Sequence, residues 1–359
     1  MSATASLTAP NPIPAPDRLI GAWLALSAAM VFVMVVIGGV TRLTESGLSI
    51  VEWQPLMGAL PPLNQAHWQE LFDKYRQYPE YQKVNAGMTL ADFKGIFWLE
   101  YIHRLWGRLI GLVFALPALV FFLKGWLRGK LLGQVAVLFV LGGAQGALGW
   151  FMVKSGLVND PRVSPYRLTA HLLLALAVFG WLLWLALARL RPNDGWTAID
   201  GGFSNDARRL RALAHPLALL LVITIASGGF VAGLDAGLTY NTFPLMDGRF
   251  VPEGYATLSP FWHNLFENIP AVQFNHRWLA VTTAVSLIAF ALYARSKAPP
   301  RAAKQATGAL LAMAVIQPTL GIATLITAVP VSLGALHQAA AVVLLACLLW
   351  TMRTLKLRD

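Results

Sequence analysis

Gly38-Gly39-Val40, Ser46-Gly47-Leu48-Ser49 and Pro55-Leu56-Met57-Gly58 return further along the chain as Gly228-Gly229-Phe230, Ala236-Gly237-Leu238-Thr239 and Pro244-Leu245-Met246-Asp247-Gly248. The repeat continues beyond these stretches: His103-Arg104 is matched by His276-Arg277, and His171 by His337. A helix that crosses a bilayer needs about 20 mostly apolar residues. Four such runs fall in each copy, at Leu19–Val40, Ile96–Leu123, Leu131–Val153 and Leu168–Ala188, then at Ala212–Leu234, Ala271–Ala294, Ala306–Val329 and Val331–Trp350. An even number of crossings per copy sends both halves into the membrane in the same direction, related by a pseudo-two-fold axis along its normal. The expected fold is an all-α membrane protein, eight transmembrane helices arranged as two pseudo-symmetric four-helix bundles with a parallel internal repeat.

Composition agrees with a lipid solvent. The 359 residues are 57% hydrophobic and only 13% charged, with a mean hydropathy of +0.58. A net charge of +11 could serve nucleic acid, but the basic residues fall between apolar runs instead of gathering on one tail, so no nucleic-acid partner is expected. The connections holding Lys124, Arg128 and Lys130, then Arg189, Arg191, Arg208, Arg209 and Arg211, then Arg295, Lys297, Arg301 and Lys304 face the cytoplasm by the positive-inside rule. Both termini are then cytoplasmic and the loop over 41–95 is outside. The expected division is a disordered tail over 1–17, a first four-helix half over 18–190, a cytoplasmic linker over 191–210, a second half over 211–352 and a cytoplasmic tail over 353–359. The first seventeen residues hold no Lys or Arg, unlike a secretory or transit peptide, which favours a bacterial inner membrane. The single cysteine, Cys347, sits in an apolar run and reads as a small buried residue. In the first outer loop Trp68, Leu71, Phe72 and Tyr75 share one helical face, fitting a short helix that lies on the membrane surface or packs on protein.

Four of the seven histidines, His103, His171, His276 and His337, stand in apolar surroundings shortly after the chain re-enters the membrane from outside. They are expected at one depth near the outer face. An ionisable group there costs on the order of a few kcal/mol unless a partner offsets it. Side chains on facing helices of a bundle project into a common core, so His103 with His171, and His276 with His337, form natural ligand pairs. Two imidazoles without cysteine or carboxylate partners are too few for zinc, whereas haem iron brings four equatorial nitrogens and needs only axial ligands. Gly107, Gly111, Gly142, Gly143, Gly146 and Gly149 leave room for a flat macrocycle or for close helix packing. Arg42, Arg104, Arg108, Arg167 and Arg277 are candidates to meet haem propionates, or to anchor at lipid headgroups. Glu100 shares a helix face with His103, while Gln273 holds the matching place before His276, and Arg108 is matched by Val281. That difference assigns chemistry to the first half and a permanent cofactor to the second, with a Glu100–Arg104 pair or a place at the membrane interface as the structural alternatives for the carboxylate. His67, His215 and His263 read as solvated or interfacial.

The run Gly38-Gly39-Val40-Thr41-Arg42-Leu43-Thr44-Glu45-Ser46-Gly47-Leu48-Ser49, with Trp53-Gln54-Pro55 and Glu100-Tyr101-Ile102-His103-Arg104-Leu105-Trp106-Gly107-Arg108, resembles the haem A synthase family over nearly the whole chain. The resemblance implies an enzyme that oxidises the C8 methyl group of haem O to a formyl group with a dioxygen-derived oxidant, giving haem A for cytochrome oxidase. It implies haem O beside Glu100, His103 and His171, and a haem B held by His276 and His337 that relays electrons. Haem O synthase and cytochrome oxidase assembly factors become candidate partners; the electron donor and any homo-oligomeric state stay open. Some members carry a cysteine pair in the first outer loop; this chain has none, and its longer loop resembles the proteobacterial and mitochondrial branch. A di-haem electron-transfer protein and a transporter with histidine proton relays are the competing classes.

Overall fold

The computed structural model describes residues 13–52, 60–157, 161–192, 194, 196–197 and 201–358. Most of the N-terminal tail, the Trp53-Gln54-Pro55 and Pro55-Leu56-Met57-Gly58 motifs and the Asn159-Asp160 turn lie outside those residues. Eight helices are long and apolar enough to cross a membrane. They are α1 (Ala15–Leu43), α4 (Leu90–Leu123), α5 (Gly129–Gly156), α6 (Pro165–Leu190), α7 (Gly201–Gly233, its apolar part from Asn205), α8 (Ile269–Ser296), α9 (Arg301–Ile326) and α10 (Val331–Thr354). The outer loop after α1 adds α2 (Gln65–Tyr75) and α3 (Pro79–Lys83). Large side chains such as Leu112, Leu116, Val140, Leu219 and Val285 remain exposed on the spanning helices, as they do where lipid is the solvent.

The helices begin and end where local chemistry directs. α4 opens on a capping box in which the Thr89 side chain accepts from the Asp92 backbone N–H and the Asp92 carboxylate accepts from the Thr89 backbone. It therefore starts six residues before the apolar run at Ile96. Phe93 and Phe97 on this extension pack with Trp68, Phe72 and Tyr75 of α2 and with Tyr101, burying all six rings. The aromatic face of α2 thus covers α4 instead of lying on lipid. α1 starts at Ala15, inside the stretch expected as tail, and Asp17 in its first turn pairs with Arg189 at the end of α6. α7 reaches back to Gly201, through the segment expected as a linker, because Ala207, Leu210 and Ala214 are buried along it. The backbone at Trp196–Thr197 (β1) pairs in parallel with Leu357–Arg358 (β2), tying the linker to the C-terminal tail.

α1 packs along α6 and also meets α4 and α10, while α6 reaches α7 and α10 closes on α9. The shared core runs through these contacts, from Trp23 and Leu24 to Phe179, Leu182, Leu287, Phe290 and Leu348. Crossings between the two halves are close: Gln338 of α10 donates to the Val35 carbonyl of α1 at 2.9 Å, and a Cβ at Gly229 of α7 would lie 2.8 Å from the Thr169 hydroxyl of α6. At the end of α1 Arg42 bonds Asp235 at 2.7 Å and the Ala232 carbonyl at 2.9 Å.

Candidate functional site

Each of the four membrane histidines lies against a glycine of the preceding spanning helix. A Cβ at Gly38 of α1 would fall 3.3 Å from His103 Nε2 on α4, and at Gly149 of α5, 3.0 Å from His171 Cε1 on α6. In the second half a Cβ at Gly228 of α7 would fall 3.0 Å from His276 Cε1 on α8, and at Gly321 of α9, 2.8 Å from His337 Cε1 on α10. Glycine lets the backbone come this near a ring, so the imidazoles sit deep between helices instead of being pushed toward lipid. His103 lies within electrostatic reach of His171, and His276 within reach of His337. The expected partners stand on α4 with α6 and on α8 with α10. Gln145 and Gln317, which sequence reasoning missed, fix the far partner of each pair: both side-chain amides donate to the backbone carbonyl of their histidine, His171 and His337, at 3.1 Å. Their equal spacing from Gly149 and Gly321 was the available signal.

The outer loops are clamped to these helices in matching ways. Each begins with an acidic residue in the left-handed region, Glu45 and Asp235, both at φ 52°. Arg104, one turn past Glu100, donates to the Ile50 carbonyl at 2.8 Å and the Glu52 carbonyl at 3.3 Å. Arg277, one turn past Gln273, donates to the Tyr240 and Thr242 carbonyls, each at 2.6 Å. Glu100 is buried and accepts four bonds, from Ser49 Oγ at 2.7 Å, the Ile50 N–H at 2.8 Å, and Arg104 Nε and Nη2 at 3.0 and 2.6 Å. A carboxylate so supplied with donors is fixed in place. Gln273 makes the neutral version of the contact, donating to the Tyr240 carbonyl at 3.2 Å.

Of the arginines considered for propionates, Arg104 and Arg277 are engaged with their loops and Arg42 with Asp235. Arg167 donates to the Phe151 carbonyl at 2.9 Å and lies over that ring at 3.7 Å. Arg108 sits one turn beyond Arg104 on α4, partly buried. The other histidines stay apart from the pairs: His67 is exposed, His215 bonds the Arg211 carbonyl, and His263 pairs with Glu267 at 3.0 Å.

The two pairs also differ. Ser227 Oγ lies 2.8 Å from His276 Nδ1, a contact that fixes the ring. Its counterpart in the first half is Ile37, which offers no such bond. Among the described residues, the buried ring nitrogens His171 Nδ1 and His337 Nδ1 have no hydrogen-bond partner. Among the described residues no three His, Cys, Asp or Glu side chains converge as a metal site. Imidazole pairs of this kind, each wedged against a glycine, fit a flat iron macrocycle that brings its own in-plane donors.

Fold and site define a multi-pass helical membrane protein with four histidines set against glycines of neighbouring helices. The profile of the family described as cytochrome oxidase assembly protein matches residues 21–349. A protein of Nitrosospira multiformis named haem A synthase is 50% identical over 340 residues, 95% of this chain and 94% of its own length. One of Paramagnetospirillum magneticum with the same name is 51% identical over 94% of both chains, and human haem A synthase COX15 is 44% identical over 96% of this chain and 84% of its own. The chain belongs to the COX15-CtaA family of cytochrome oxidase assembly proteins.

Proposed function

We propose that this protein is a haem A synthase of the bacterial inner membrane, which oxidises the C8 methyl group of haem O to a formyl group with a dioxygen-derived oxidant. The first half, over 18–190, takes haem O between His103 and His171. The second half, over 211–352, keeps haem B between His276 and His337, and both termini are cytoplasmic. The observation that carries the reading is the doubled set of membrane histidines, each seated against a glycine of the neighbouring helix. Haem B bound in the second half would supply one-electron transfer between an external donor and the first site. The residues of the chain do the rest. His276, with its Nδ1 against Ser227, is a restrained ring that would hold haem B, suited to a cofactor that stays. His103 lacks that restraint, suited to a ligand that comes and goes. Glu100, one turn from His103, stabilises positive charge developing at the reacting carbon or takes up its proton.

Pigment extraction from membranes that also contain a haem O source tests the reaction class. We expect a product whose mass shows the methyl group replaced by formyl; haem O alone, unchanged, would overturn the proposal. For the cofactor, His276→Ala and His337→Ala should each remove the low-spin haem B Soret band from the purified protein, and an unaltered spectrum would defeat that assignment.

A further inference from the structure

Gly149 with Gly321, and Gln145 with Gln317, set α5 and α9 in register. Their inner ends behave alike: α5 buries Leu131, Val135 and Leu138, and α9 buries the matching Ala303, Thr307 and Leu310. Toward the outer face they part. α9 goes on to bury Ala314 and Thr324 and stays packed along α8, whereas α5 buries nothing between Leu138 and Gly156 and barely reaches α4. The Phe114–Phe139 ring pair, with centroids 4.8 Å apart, is the α4–α5 ring contact at which the seam begins. Outward of it, Gly111 on α4 and Gly142 and Gly146 on α5 have no atom within 4 Å of where a Cβ would stand. The second half fills these places with Ala284, Ala314 and Pro318.

Small residues alone would say little, but the outer mouth of the seam is cationic. A cavity there is lined by Ile50, Glu52, Arg104, Trp150, Val153 and Lys154. The Lys154 ammonium lies 5.1 Å from the Trp150 ring centre, and among the described residues no carboxylate comes within salt-bridge distance of it. The second half has Ile322 and Ile326 where the first has Trp150 and Lys154, and Val281 in place of Arg108. Haem O is an amphiphile with a flat apolar ring, an isoprenoid tail and two carboxylates on one edge. A slit that opens to lipid along glycine walls and ends in a cation at headgroup depth complements that shape and charge.

We infer that the α4–α5 seam is a lateral door through which haem O passes between the lipid and the first-half site, with Lys154 receiving a propionate at its outer mouth. The inference rests on the assignment of haem O to the first half. The closed α8–α9 contact then retains haem B, while the open seam admits substrate and releases product sideways.

The test uses the full-length protein with its haem B in lipid nanodiscs, with haem O added in the lipid and its uptake followed optically and by extraction. Gly111→Phe, which fills the seam, should slow uptake tenfold or more while leaving the haem B Soret band unchanged. Lys154→Ile should raise KM for haem O several-fold with kcat held, and Lys154→Arg should restore it. Wild-type uptake by Gly111→Phe together with wild-type KM in Lys154→Ile would overturn the door. If Gly111→Phe loses haem B the helix pair has misfolded, and Lys154→Ile decides alone. His103→Ala separates the two levels: loss of haem O there with unaffected seam variants removes only the door, whereas full haem O uptake by His103→Ala removes the first-half assignment beneath it.

Discussion

Glu100 carries two burdens that substitution can pull apart. Its four accepted bonds hold the first outer loop and neutralise Arg104, whose side chain is only 16% exposed. Breaking a buried pair by removing one member costs about 3–5 kcal/mol, because the other charge is left unpaired. Glu100→Ala should therefore lower the Tm of the purified protein as well as abolish haem A production. Glu100→Gln is the sharper case, since Gln273 shows that an amide can hold the equivalent loop. We expect this variant to keep its Tm within a few degrees and its haem B spectrum, yet to form little or no haem A. Normal haem A output from Glu100→Gln would restrict the residue to anchoring.

Among the elements, α2 and α3 form a cap over the outer end of α4, and one buried carboxyl makes that cap sensitive to pH. Glu80 of α3 is 4% exposed, takes a hydrogen bond from the Tyr75 hydroxyl, and leaves Oε2 without a partner. Burial pushes its pKa up from the ordinary 4.5 to about 8, with the charges of Glu100 and Glu45 adding to the shift. The folded cap thus binds a proton more tightly than the open one. Its stability is full below the ordinary value and is lost as pH climbs from there to about 8, after which it levels off. The protection factors of the amides over 65–83, corrected for the intrinsic rise of exchange with pH, should accordingly fall between the ordinary 4.5 and about 8, and Glu80→Gln should flatten the profile. A wild-type profile without slope would show the carboxyl to be ionised in place. The aromatic spacing of Trp68, Phe72 and Tyr75 was legible in the sequence; that they close on Phe93 and Phe97 follows from the extension of α4 ahead of its apolar run.

At the scale of the whole molecule, the halves are held by close helix crossings more than by apolar burial, because lipid is as apolar as the side chains it would replace. Gly233, at the end of α7, is the tightest crossing onto backbone: a Cβ there would lie 2.7 Å from Pro165 Cα at the start of α6. A backbone atom cannot swing away as a side chain can. Gly233→Ala should cost about 1–3 kcal/mol of overpacking, visible as a lower Tm with both halves affected. Unchanged thermal stability would mean that the two halves slide freely past each other here.

The apolar run lengths determined eight crossings, and the matched glycine, histidine and arginine motifs marked one histidine on each of four of them, because a bilayer punishes any other use of such segments. The same residues flagged Glu100 through its mismatch with Gln273. Tertiary structure alone decided who touches whom: that Gly38, Gly149, Gly228 and Gly321 seat the four rings, that Ser227 orients His276, that most of the candidate arginines bind protein acceptors, and that α5 stands off from α4 where α9 closes on α8. Periodicity reports which face of a helix is apolar, and lipid and protein neighbours satisfy that face equally well. The choice between them is made only when the helices pack.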